Sequence, residues 1–115
     1  MAEEPIFPYN VREVTVAFGG SNPATIDIGG GTIIGVEAEN GSASTALAVA
    51  KYSDFTGGYV ALSDGTDDRT LTILADKIVT LTNVTPFVGL GRIQLTQDTP
   101  EAKSVVLHVA DVAGA

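Results

Sequence analysis

An all-β fold, an antiparallel sandwich or jelly roll of about eight strands, is predicted by three observations. From Val14 to Val109, β-branched and apolar residues come in short runs with a period of two. Gly, Asn, Asp or Pro closes each run, at spacings of about 8–12 residues. No stretch carries the 3.6-residue apolar period of an amphipathic helix.

Residues 1–11 stand apart as an extended N-terminal arm. Pro5 and Pro8 fix φ, remove two amide donors and hold the residues before them out of the helical region. Ile6, Phe7 and Tyr9 crowd three large apolar groups into four residues, a sticky set for a free tail. The arm therefore either lies back on its own domain or reaches onto a neighbouring subunit.

The body, residues 12–110, opens with Val14, Val16 and Phe18 alternating with Glu13, Thr15 and Ala17. This half-buried strand ends in the loop 19–23. Ala24 to Ile28 sets Ile26 and Ile28 opposite Asp27. Gly29-Gly30-Gly31 breaks that run as a kink or bulge between two strand halves. Thr32 to Glu39 resumes it, with Ile34, Val36 and Ala38 on the face opposite Glu37 and Glu39.

Asn40-Gly41 is a tight-turn dipeptide, since both residues accept positive φ. Ala46 to Tyr52 sets Leu47 and Val49 against the small Ala46, Ala48 and Ala50. Alanine favours helix, but the length of the run and the strands around it favour a strand. Tyr59 to Leu62 follows, closed by the acidic loop Ser63–Asp68. Leu71 to Leu74, Lys77 to Leu81, Gly91 to Thr96 and Ser104 to Val109 complete the set. Asp76 marks a turn, Thr85-Pro86 and Thr99-Pro100 mark loops, and 111–115 is a C-terminal tail.

A chain of 115 residues is one domain. With 44% apolar but only 6% aromatic residues, its core between two sheets is thin. The net charge is −8 and the six Lys and Arg residues are scattered, so nucleic acid is not an expected partner. No apolar stretch approaches the roughly 18–20 residues of a membrane span, so no membrane partner is expected. The first ten residues are acidic and proline-interrupted, unlike a signal peptide. A chain made and kept in a cytosol until some assembly step is expected, and the absence of Cys fits that.

Reactive constellations are sparse. The glycines before Thr32 lack the Lys and the helix of a phosphate loop, and the third Gly of a dinucleotide fingerprint would fall on Ile34. Asp64, Asp67 and Asp68 offer oxygen ligands on a turn, but their spacing misses the EF-hand order. A solvated acidic loop is the better reading, with weak calcium binding as the other. His108 faces away from Val105, Leu107 and Val109, and Ser53, Ser63 and Ser104 all lack a nucleophile elbow. Glu37 and Glu39 stand about 7 Å apart on one face, with no Trp to build a sugar platform. Neither an enzyme nor a cofactor is expected.

Tyr52, Phe55 and Tyr59, with Gly57-Gly58, form the densest aromatic group of the body. They stack on a sugar or protein partner, or they plug one end of the barrel. Together with Ile6, Phe7 and Tyr9 of the arm, they are the candidate partner-binding residues.

As one pattern, Ala24–Gly30 (ATIDIGG), Ile33–Val36 (IIGV), Tyr59–Asp64 (YVALSD) and Arg92–Leu95 (RIQL) resemble the small head-decoration, or capsid cement, proteins of tailed bacteriophages. The resemblance covers roughly residues 24–109. The loop Glu39–Ala43 departs from the aromatic or proline-containing loop expected there. The resemblance implies a jelly roll on the outer surface of a virion, made in the host cytoplasm. Its implied partners are the major capsid protein, whose subunits it bridges, and further copies of itself as a homo-oligomer. Two other readings are a carbohydrate-binding jelly-roll module of a phage tail or fibre and a self-assembling shell subunit.

Overall fold

A computed structural model describes residues 9–19 and 22–112. Ile6 and Phe7 lie outside the described residues, as do the rest of 1–8 and the last three residues. Nine strands form among the described residues: β1 (Tyr9–Val16), β2 (Ala24–Asp27), β3 (Thr32–Ala38), β4 (Ala46–Ser53), β5 (Gly58–Ala61), β6 (Thr70–Thr72), β7 (Ile78–Thr80), β8 (Arg92–Gln97) and β9 (Val105–Val112). A 3-10 turn spans Thr85–Phe87. β1 already pairs with β9 from Tyr9 onward, so the last three residues assigned to the arm are strand.

The strands make two antiparallel sheets. One is ordered β1-β9-β3-β7; the other is β2-β8-β4-β5, with β6 also on β4. The pairs nest: β1 with β9, β2 with β8, β3 with β7, and β4 with β5 and β6. That is one long hairpin wrapped around a barrel, the winding of a jelly roll. Strand order is thereby fixed, where apolar alternation alone left an immunoglobulin-like sandwich equally open.

Strands β5 and β6 are two halves of one edge strand. β5 covers Ala50–Ser53 of β4 and β6 covers Ala46–Ala48. The chain leaves and returns at Val49, whose carbonyl accepts from Leu62 N–H and whose N–H donates to Arg69 O. The acidic loop is thus a small excursion ejected from a strand, pinned by the Ser63–Asp68 bridge.

Period-two alternation sorts the core as expected for sheets with one solvated face. Val16, Ile33, Val36, Leu107 and Val109 of the first sheet meet Leu47, Val49, Leu71, Ile93 and Leu95 of the second, all buried. The small row Ala46, Ala48 and Ala50 lies on the outer face of β4. Three expectations change here. The glycines 29–31 do not kink one strand, because β2 and β3 belong to different sheets and the glycines carry the crossover. The bulge falls instead between Ile33 and Gly35, so Ile33 rather than Ile34 enters the core beside Val36 and Ala38. Glu39 lies beyond β3 and shares no strand face with Glu37.

The barrel has two unlike ends. At one, the turns after β1, β3, β6 and β8 gather under two carboxylates. Asp98 accepts from Ser44 Oγ at 2.6 Å, Thr45 Oγ1 at 2.7 Å and the N–H groups of Thr45 and Ala46. Glu101 accepts from the Ser42 hydroxyl and from the N–H groups of Ala43 and Ser44. Asn22 and Gln97 exchange hydrogen bonds beside them. The segment 42–46 would otherwise leave four amides without strand partners, and the two carboxylates satisfy them. This end is sealed.

Candidate functional site

The opposite end carries the crossover 28–31, the β4–β5 turn and the segment 81–91. β1 begins here and β9 ends here, because Tyr9 pairs with Val112 and Thr32 with Ala110. Tyr9 and the aromatic group therefore belong to one end of the barrel, with Tyr9 on the edge strand of one sheet and the aromatic group at the far edge of the other.

Glycine builds the platform. Gly89 N–H donates to Gly31 O at 2.9 Å and Gly91 N–H to Gly29 O at 3.0 Å. Gly31 is packed so tightly that a Cβ would stand 2.4 Å from Val109 Cγ1 and 2.5 Å from Asp111 Oδ1. Arg12 Nε donates to Asp111 Oδ2 at 2.5 Å, and its Nη2 donates to the Ile28 carbonyl. The first and last strands are thus tied to the crossover.

From this platform projects the β4–β5 hairpin. Its turn closes through Gly57 N–H to Ser53 O at 2.8 Å, with Gly57 at φ 74°. Tyr52 and Tyr59 are directly cross-strand, with ring centroids 5.5 Å apart and planes at 76°. Arg92 lies 3.8 Å over the Tyr52 ring, and Asp27 stands opposite Arg92 on β2. Asp27, Arg92, Tyr52 and Tyr59 make one row across the outer face of the sheet.

These tyrosines do not plug the barrel: strand alternation turns them outward, opposite to Leu47 and Val49. Phe55, at the tip, is 99% exposed. On the reverse face of the hairpin, Lys51 pairs with Val60, itself 45% exposed. Here Lys51, Asp54, Phe55, Val60 and Leu62 line an open groove of about 490 Å³.

The other sites are quieter. Asp64 Oδ1 accepts from the N–H groups of Thr66 and Asp67, each at 2.8 Å. Those bonds, Asp67's first, hold its carboxyl below the usual range. Among the described residues no three His, Cys, Asp or Glu side chains gather to hold a metal ion. His108 lies on the outer face beside Gly35, between Glu13 of β1 and Glu37 of β3. Its Nε2 is buried without a hydrogen bond, 3.5 Å from Glu37 Oε1. A second groove, of about 510 Å³, opens between β6 and β7 beside Arg69, Thr72, Thr80 and Phe87. No helix among the described residues is long and apolar enough to cross a membrane.

Lys51, Val60 and Arg92 were not singled out from the sequence. Lys51 and Val60 flank the tyrosines in their own strands, so pairing Tyr52 with Tyr59 would have placed them together on the reverse face. Arg92 arrives from a strand forty residues away, and no local pattern marks it as a partner of Tyr52. Compared with known proteins, the chain matches no family model, no curated protein and no solved structure.

Proposed function

We propose that this chain is a structural contact protein that decorates and stabilises a bacteriophage capsid by bridging major capsid protein subunits. Its contact surface is the hairpin end of the barrel. The observation that carries the contact reading is Phe55, 99% exposed at the tip of a hairpin stiffened by Tyr52, Tyr59 and Arg92. A rigid aromatic offered to solvent is what interface anchors look like before they are buried. Burying one phenyl ring is worth about 1.5–3 kcal/mol. The shell as partner rests on the resemblance carried by residues 24–109. The sealed opposite end suits a rigid body that stands clear of the surface.

A saccharide module is supported less well. Sugar stacking needs an open ring face, and Tyr52 gives one face to Arg92 and packs at 76° against Tyr59. The proposal is tested by heating empty shells with and without the purified protein. Decoration raises the temperature at which the shells rupture. An unchanged rupture temperature at saturating protein contradicts it.

A further inference from the structure

We propose that the N-terminal arm of one copy docks in the hairpin groove of another copy. Ile6 and Phe7 pack on Val60, Leu62 and Phe55, and Glu3 and Glu4 face Lys51. The proposal deepens the contact reading above and takes from it only that this end makes contacts; it needs no shell.

Three observations carry it. First, the arm and the groove share an end: β1 starts at Tyr9 beside the crossover, and the β4–β5 turn lies at the same mouth. Second, eight residues precede Tyr9, and an extended chain of that length spans about 26–29 Å. Third, the chemistry matches. The groove has exposed apolar walls at Val60 and Phe55 and a cation at Lys51, one of only six basic residues against fourteen acidic ones. Asp54, on the turn, is its carboxylate. The arm offers an acidic pair followed by Ile6-Phe7 between two prolines, which favour an extended peptide that loses little entropy on docking.

A second copy is the better occupant than the same chain. Tyr9 lies on the edge strand of one sheet, whereas the groove lies at the far edge of the other. An arm-to-groove contact closes either as a reciprocal exchange about a two-fold axis or, head to tail, as a ring when the rotation permits.

The chain has no cysteine, which makes labelling clean. One preparation carries Ala2→Cys and another Thr56→Cys, and the two are mixed with a flexible bis-maleimide. The expected result is a product of doubled mass well above that of either preparation alone. Adding Lys51→Glu to the Thr56→Cys chain reduces it several-fold, and Glu3→Lys with Glu4→Lys in the other chain restores it. Lys51 is exposed, so its reversal leaves the barrel folded. Absence of the doubled product overturns the proposal, as does a product insensitive to Lys51→Glu. So does a cross-link that forms only within one chain when both cysteines are on it. Loss of shell binding with this cross-link intact would count against the shell alone.

Discussion

Tyr52 and Tyr59 meet edge to face across the β4–β5 ladder, with ring centroids 5.5 Å apart, on the outside of the barrel rather than in it. The pair stiffens a hairpin whose exposed tip would otherwise fray. Only Tyr52 has a further partner in this row, the Arg92 guanidinium.

Replacing Tyr59 by Ala is expected to cost about 0.5–1.5 kcal/mol for the lost aromatic pair, on top of the apolar area the half-buried ring covers. A double-mutant cycle between Tyr52→Leu and Arg92→Ala should give a coupling of about 0.5–1 kcal/mol. Urea denaturation of the four proteins of the cycle and of Tyr59→Ala measures both. Zero coupling would mean that the stacked arginine contributes nothing to the hairpin.

Stability should fall in acid. The Ser44 hydroxyl first, then Thr45 through its hydroxyl and N–H, holds the Asp98 carboxyl well below its ordinary range. The Ser42 hydroxyl and then the Ala43 N–H do the same for Glu101. Between the ordinary carboxylate pKa and these lowered values, the unfolded chain binds protons that the folded chain does not. The contribution of these groups is complete above about pH 5 and is lost progressively below about pH 4. Asp98→Asn should flatten the low-pH slope of urea midpoints measured between pH 3 and pH 7. An equal slope in the variant would remove Asp98 as the cause.

Two neighbouring glycines should respond oppositely. Gly31→Ala drives a Cβ to 2.4 Å from Val109 Cγ1, so it should destabilise by about 1–3 kcal/mol, as overpacking does. Gly30→Ala meets nothing within 4 Å, and its effect should stay within about 0.5 kcal/mol. Thermal unfolding of both variants decides. Equal effects would mean that the crossover relaxes away from β9.

Much of this fold was legible because a sheet with one wet face writes a period of two into its strands. Val14 with Val16, Leu47 with Val49, and Leu107 with Val109 are read directly from that alternation. It failed at Ile34, since a one-residue bulge shifts the face and leaves no composition signal. It failed at Gly29–Gly31, since a glycine run looks the same in a bulge and in a crossover between sheets. The acidic loop looked like a connection between strands because nothing local shows that both of its flanks pair with β4. Tyr52, Phe55 and Tyr59 were legible as a cluster, but not the direction they face, which depends on which side of β4 is buried. Asp98 and Glu101 went unmarked, because their partners lie more than fifty residues away.

The central claim is that the hairpin end makes the contacts, and Phe55 tests it most directly. Binding to empty shells should be titrated for the wild type, Phe55→Ala and Ile78→Ala. Ile78 is 54% exposed at the start of β7, paired with Glu37 toward the sealed end of the barrel, and serves as the control. The expected result is a loss of about tenfold or more for Phe55→Ala, from the roughly 1.5–3 kcal/mol of a buried ring, with Ile78→Ala close to wild type. Equal binding by Phe55→Ala and the wild type, or equal losses in both variants, would contradict the account.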